Sequence, residues 1–438
     1  MRAAKLLIQE NNKLRLEDHS AHDWYRFVLS YPPHLVRDYL ERFSNGRVKC
    51  ILDPFCGTGT TLVECKKLGI ESIGIEANPM ASFASQVKVD WSIDPDDLLD
   101  HAHTVSEFAL RIMEEEGISD VDDLPLFRHR QNAPSGLRTL SPDTWKLLLK
   151  DSISPLPLHK TLVLLEALQK HKNERFIAHE QLALAKAIVF GISNLHFGPE
   201  VGVSSPKANA PVVTLWLNGV RTIADDLRQL RDRDHTRAIV YQADSRHPLS
   251  VMGQESVDAV ITSPPYPNEK EYTRTTRLES VLLGFIRTKQ DLRSLKQTLI
   301  RSNTRGVYTT DCDDLLVADN REIQRIAEEI EQRRLDLGKT SGFERLYPRV
   351  TKLYFGGMAR HLAELRSILR PGAQLAYVVG DQASYLRVMI RTGQLLADIA
   401  QSLGYELINI DLFRTRLATA TKEYLREEVV LLRWPGRV

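Results

Sequence analysis

Apolar positions along this chain follow two periods, and the switching between them sets the expected architecture. Residues 48–52, 72–75, 238–242, 257–262, 374–379, 406–412 and 428–432 are short runs of strand length and strand composition. Residues 98–113, 144–149, 162–171 and 182–195 instead space their apolar side chains three and four apart, with charged residues opposite, as helices do. A short helix opens at Thr60 and Thr61, runs through Leu62, Val63, Cys65 and Leu68, and is stopped by Gly69. Strands interleaved with helices predict an α/β fold on a mostly parallel sheet. Only a short polar segment separates the last two strands, so they are expected to pair as a terminal antiparallel hairpin. Residues 22–43 form an aromatic-rich segment ending in a helix. Residues 197–211, rich in Gly, Pro, Ser and Asn, are expected to be a loop.

This pattern divides the chain into five pieces. Residues 1–95 hold the first strands, 96–235 a mainly helical insertion, 236–286 two more strands, 287–349 a charged insertion, and 350–438 the end of the core. With 438 residues, 42% hydrophobic and 26% charged, the chain is globular and longer than one minimal α/β core, so two insertions are no surprise. Four cysteines without paired spacing fit a reducing compartment, and Cys50, Cys56 and Cys65 lack histidine neighbours, so no metal site is expected. No apolar stretch reaches the length of a membrane span and no signal-peptide pattern is present; a cytoplasmic protein without a membrane partner is expected. His101, His103, His129 and His159 are scattered and read as solvated.

Two motifs carry candidate chemistry. The first is the turn Asp53, Pro54, Phe55, Cys56, Gly57, Thr58, Gly59, Thr60, Thr61 between a strand and a helix. Gly57 and Gly59 supply positive φ and remove Cβ atoms where a ligand approaches the backbone. A strand, a glycine turn and a helix make a nucleotide-type site at the carboxyl end of a parallel strand. Leu62 stands where a dinucleotide fold prefers a small residue, and no Gly-Lys-Ser/Thr is present for a phosphate loop. Glu76 ends the next strand, 19 residues past Gly57, where a carboxylate can accept two hydrogen bonds from a ribose diol. Without Glu76 and the second motif, a plain structural turn would be the better reading.

The second motif is Ser263, Pro264, Pro265, Tyr266 at the end of the run 257–262. The prolines stiffen the loop and hold each preceding residue extended, so the Pro264 carbonyl is free to face a ligand. An exocyclic amine on cytosine or adenine conjugates its lone pair into the ring and is a poor nucleophile. Acceptors at Ser263 Oγ and the Pro264 carbonyl can hold both amine hydrogens and favour a pyramidal nitrogen, while Tyr266 stacks on an extruded base. Attack at cytosine C5 needs a thiolate from a Pro-Cys pair, and no cysteine here follows proline.

Phe55, Gly57, Gly59 and Ser263 to Tyr266 together resemble the motifs of the S-adenosylmethionine-dependent DNA amino-methyltransferases, the cytosine-N4 type in particular. The resemblance covers about half of the chain, in three pieces, and leaves out both insertions. It implies a Rossmann-like S-adenosylmethionine methyltransferase sheet ending in an antiparallel hairpin, with S-adenosylmethionine as cofactor. It also implies double-stranded DNA as partner, a prokaryotic, nucleoid-associated setting, and a possible cognate restriction endonuclease or defence-system protein. The relatives usually carry Ser at the first tetrapeptide position for cytosine-N4 and Asp or Asn for adenine-N6. In many relatives a carboxylate at the place of Asp244 accepts from the cofactor's adenine; it reads equally as a turn acid. Trp24 and Tyr25 stand where relatives close a helix over the cofactor's methionine end, or are plain core. Adenine-N6 methylation, or amine methylation of RNA, is the alternative activity.

Net charge is only +1, so DNA contact must come from a local patch. Residues 287–310 carry a local charge of +5, and 311–336 carry −5. Arg293, Lys296, Arg301 and Arg305 are the candidate phosphate contacts; self-neutralisation of the two blocks is the competing reading.

Overall fold

The computed structural model describes residues 14–26, 30–43, 48–121, 136–197, 200–268, 270–417 and 424–436. His129 lies outside them. The strands in chain order are β1 (Cys50–Asp53), β2 (Glu71–Glu76), β3 (Leu195–Phe197), β4 (Val201–Val203), β5 (Ala238–Gln242), β6 (Val257–Thr262), β7 (Leu369–Gly380), β8 (Glu406–Leu417) and β9 (Tyr424–Arg433). Seven of them form one sheet in the order β5-β2-β1-β6-β7-β9-β8. Every pairing from β5 to β7 is parallel, and β9 inserts antiparallel between β7 and β8. The expected α/β sheet and its terminal hairpin are both present.

The sheet is covered on both faces, which is why its central strands are so apolar. Side chains alternate: Leu52 and Val260 enter a core roofed by the helices Arg321–Asp336, Tyr347–Leu365 and Thr392–Ser402. Ile51, Ala259 and Ile261 enter the opposite core, under the helices Pro33–Phe43 and Thr60–Lys67. The strands run longer than their apolar stretches at the hairpin, where β8 is an edge strand with exposed Ile408 and Leu412.

Between β2 and β5 the helices Pro95–Glu115, Pro155–Lys170, Ile177–Ala187 and Val212–Leu230 gather around a separate apolar core that includes Leu98, Leu164, Ala183 and Trp216. Val212–Leu230 was not among the helices expected, although Val213, Trp216, Val220, Ile223 and Leu227 keep helical spacing. The segment expected to be a loop at 197–211 contains β4, which pairs with β3 as a small hairpin. The helix expected through 195 ends at Ala187 and passes into one π-turn, Ile188–Ile192, before the chain becomes extended. His101 and His159 are not solvated: His101 bridges Glu180 and the His171 carbonyl at 2.8 Å each, and His159 accepts from the Arg138 amide at 2.9 Å. No helix of the described residues is long and apolar enough to cross a membrane.

The charged segment packs on the helix Tyr347–Leu365, with backbone in close approach at Gly356. At Gly356, in the helix Tyr347–Leu365, an added Cβ would lie 1.8 Å from the Asp313 carbonyl oxygen. At its neighbour Gly357 an added Cβ meets nothing nearer than 3.4 Å. We therefore expect Gly356→Ala to cost about 3 kcal/mol or more in urea unfolding, because backbone must move. Gly357→Ala should lie within about 1 kcal/mol of the parent.

Candidate active site

β1 has β2 on one side and β6 on the other, and the chain winds to opposite edges of the sheet from this pair. Their carboxyl ends thus form a topological switch point, where open α/β sheets leave a crevice for ligands. The glycine turn follows β1 and the Ser-Pro-Pro-Tyr segment follows β6, so the fold brings the two motifs to one crevice. One carboxylate ties them together. Asp53, fully buried, accepts from the Thr262 hydroxyl at 2.6 Å and the Phe55 amide at 3.1 Å through Oδ1. Its Oδ2 accepts from the hydroxyls of Thr61 at 2.7 Å and Tyr31 at 2.9 Å. Burial pushes the Asp53 pKa up, and these donors pull it back.

The crevice is a cavity of about 790 Å³, lined on one side by Pro54, Phe55, Cys56, Gly57, Thr58 and Thr60 and on the other by Ser263, Pro264, Pro265 and Tyr266. Three expected cofactor residues of the glycine turn do not line it. Asp53, Gly59 and Thr61 form its frame: Asp53 and Thr61 are spent on each other, and Gly59 faces the helix Pro79–Lys88. Gly59 has φ +84°, and a Cβ there would sit 2.5 Å from Ser85 Oγ, so glycine is required for helix packing rather than ligand clearance. Gly57, at φ +52°, does reach the cavity.

Glu76 faces this cavity from the end of β2. Its Oε2 accepts from the Gly57 amide at 2.9 Å and its Oε1 from the Asn78 amide at 2.7 Å. Burial pushes its pKa up to about 7, against those two donors. Asp244 is a correction. Its carboxylate turns away from the cavity and is taken by Arg246, with Nε at 3.0 Å and 3.1 Å and Nη2 at 2.6 Å. Its neighbours Ala243 and Ser245 line the cavity instead, as alternation along an extended segment dictates. Trp24 and Tyr25 are core: Trp24 donates to Asp226 at 2.7 Å, and the Tyr25 hydroxyl bonds Glu279. Further along the same segment, Ser30, Tyr31 and Pro32 occupy the cavity wall, a placement that the sequence reading missed.

On the tetrapeptide side the Ser263 hydroxyl donates its hydrogen to the Val378 carbonyl at 3.1 Å, which leaves its oxygen as an acceptor, with the Tyr266 hydroxyl as a further neighbour. Among the described residues no amide bonds the Pro264 carbonyl. The Tyr266 amide donates to the Tyr272 hydroxyl at 3.3 Å, and the Tyr266 ring lies on Gly380, where an added Cβ would be 3.1 Å away. Tyr272, Asn268 and Glu427 also line the cavity and were not anticipated. No short-range signal marks Glu427, which arrives from β9.

The basic block behaves differently from its expectation. Arg301 is buried, holds Asp311 with Nε at 2.9 Å and Nη2 at 2.8 Å, and donates to the Lys296 carbonyl at 2.8 Å. Its guanidinium is spent on these internal partners rather than offered to a phosphate. Lys296 pairs with buried Glu271 at 2.7 Å, and Arg305 approaches the same carboxylate at 4.0 Å. Arg293 and Arg305 remain exposed, over the rings of Tyr308 and Phe343.

Comparison with known proteins bears on this geometry. A family described as DNA methylase, of the N6/N4 type, matches residues 7–84, the segment that carries the glycine turn. Over 98% of its length the chain is 26% identical to the Type II methyltransferase M.BsoBI of Geobacillus stearothermophilus, covering 86% of that protein. It is 23% identical over 94% of its length to the Type II methyltransferase M.AvaI of a Nostoc species, again covering 86%. These matches support a DNA amino-methyltransferase activity for the chain. A shorter match, 35% identical over 24% of this chain and 20% of the relative, is to the Type II methyltransferase M.MjaII of Methanocaldococcus jannaschii.

A methyltransferase of this class implies S-adenosylmethionine as methyl donor, and the site fits that molecule. The cavity is the size of cofactor sites generally, Glu76 offers a carboxylate to hydroxyl donors, and Thr58 Oγ1 is buried without a hydrogen-bond partner among the described residues. We expect cofactor affinity to depend on pH through Glu76. Donors from a ribose favour the ionised carboxylate, so binding releases a proton wherever Glu76 is protonated in the free protein. Affinity for S-adenosylhomocysteine, measured by calorimetry, should therefore fall as pH drops from about 8 to about 6, and Glu76→Gln should flatten that dependence.

Proposed function

We propose that this methyltransferase modifies the exocyclic N4 of a cytosine turned out of a specific duplex DNA site, by direct in-line attack. The observation that carries this reading is the disposition of Ser263. Its hydroxyl hydrogen is committed to Val378, so the oxygen meets the cavity as an acceptor beside the Pro264 carbonyl, on the same cavity as the glycine turn. Two acceptors match the two hydrogens of an amine and direct its lone pair towards the donor. The bound cofactor supplies an electrophilic methyl group on sulfur. With the cofactor held at the glycine turn and Glu76, the amine nitrogen would take that methyl group as the carbon–sulfur bond gives way. Ser263 and the Pro264 carbonyl hold its hydrogens until the surplus one leaves as a proton to water. Tyr266, braced by Gly380 and Tyr272, supports the base by stacking. Serine at the first tetrapeptide position favours cytosine over adenine by the resemblance stated above. A cognate restriction endonuclease is proposed on the same footing.

Ser263→Ala should lower the single-turnover rate of methyl transfer by about 100-fold while leaving affinity for S-adenosylhomocysteine unchanged. Mass spectrometry of nucleosides from treated DNA should show N4-methylcytosine. Recovery of N6-methyladenine instead would overturn the base assignment but not the site.

Of the four basic residues first considered, Arg293 and Arg305 are the ones we assign to DNA phosphates. Changing both to Ala should make the slope of log affinity against log salt shallower by up to about two units, for specific and non-specific DNA alike. Arg301→Ala should act on the fold instead, costing about 3–5 kcal/mol by leaving Asp311 buried and unpaired.

A further inference from the structure

Lys88 ends the helix Pro79–Lys88 and is completely buried, yet among the described residues no carboxylate lies within ion-pair distance of it. Its ammonium is held by two backbone carbonyls, Thr58 at 2.8 Å and Tyr25 at 3.2 Å. Burial lowers its pKa to about 7. A cation buried without a counter-ion is expensive, and an apolar side chain of the same size would usually serve stability as well or better. Its partners suggest what it serves. Thr58 belongs to the glycine turn, faces the cavity, and carries the buried hydroxyl that lacks a partner. Tyr25 begins the stretch that delivers Ser30, Tyr31 and Pro32 to the wall beside that turn.

We propose that Lys88 is a positioning residue for the cofactor's amino-acid end. By drawing the Thr58 carbonyl into the protein, it turns the polar groups of the glycine turn towards the cavity and, when protonated, places a positive charge behind them, where a carboxylate gains most. The proposal rests on the reading of this turn as the cofactor site. Glu76 serves the ribose at one flank of Gly57, so a ligand with ribose there and its sulfur facing Ser263 sends its carboxylate towards Thr58 and Tyr31.

The test compares two ligands that share adenosine and sulfur but differ in the amino acid. S-adenosylhomocysteine carries the carboxylate, and methylthioadenosine does not. Calorimetry on the full chain should show Lys88→Met losing about tenfold to a hundredfold in affinity for S-adenosylhomocysteine, the size of a lost charge-assisted interaction, with methylthioadenosine changed by less than about threefold. In turnover assays, KM for S-adenosylmethionine should rise with kcat at saturation retained. Lys88→Gln, also uncharged, makes the same comparison if the first variant fails to fold, and the same selective loss is expected. An equal loss for both ligands, or no loss for either, would overturn the role of Lys88. Failure of the unaltered chain to bind either ligand would instead overturn the cofactor reading of the turn.

Discussion

The site depends on a single buried carboxylate. Asp53 has no cation beside it among the described residues; it is stabilised by hydroxyls from Thr61, Thr262 and Tyr31 and by the Phe55 amide. Those groups come from the N-terminal segment, the glycine turn, the helix that follows it, and β6, whose Thr262 lies 209 residues away in sequence. A hydrogen bond to a charged group contributes about 1.5–3 kcal/mol net, and four converging on one ion resist any shift of β1 against β6. The next residue after Thr262 is Ser263. The angle at which the acceptor enters the cavity is therefore set by the same ion that closes the glycine turn, and both halves of the chemistry share one reference point.

Much of this was legible in the sequence, for a definite reason. A parallel sheet buried on both faces imposes short apolar runs, and a glycine turn or a proline pair at the end of such a run has few structural alternatives. Ser263 to Tyr266, Phe55, Gly57 and Glu76, which the fold brings to one cavity, were picked out in this way. What the sequence hid was direction. Asp53 and Asp244 both end strands, and a carboxylate at a strand's end was expected to face the ligand. In an extended segment adjacent side chains point to opposite sides, so the cavity received Pro54, and Ala243 with Ser245, while the acids turned inward. Tyr31 and Glu427 could not be placed at all, since each reaches the site through tertiary packing that no local period encodes. The helix Val212–Leu230 was a different kind of omission: its spacing was plain, but no element was assigned between the loop ending at 211 and the strand at 238.

The charged insertion shows why a charge run is weak evidence for a partner. Lys296, Arg277 and Arg305 converge on Glu271, a buried residue five places beyond Tyr266 that lines the cavity. Arg246 joins Asp244 to Asp313, and Asp313 also holds Arg360 in the core helix. Lys296 ties the loop after the tetrapeptide to the insertion, Arg301 is spent on Asp311 within it, and Arg246 ties the end of β5 to it. With net charge near zero, few cations are left over for phosphates, and those few must lie at the rim of the cavity to matter.

Two buried ions of opposite sign therefore bracket the glycine turn, Asp53 at its start and Lys88 at Thr58. Among the described residues neither has an ionic partner, and each is held by neutral dipoles instead. An Asp–Lys pair would cancel its own field. Dipole-held ions keep theirs, at a cost in desolvation that hydrophobic packing elsewhere must offset. Within a low-dielectric crevice such a field acts over several ångströms on whatever enters. The negative charge lies under the strands that carry the acceptor, and the positive charge lies behind the turn. On the proposed reading of the turn as the cofactor site, this field would favour one orientation of a zwitterionic ligand with a cationic sulfur between them.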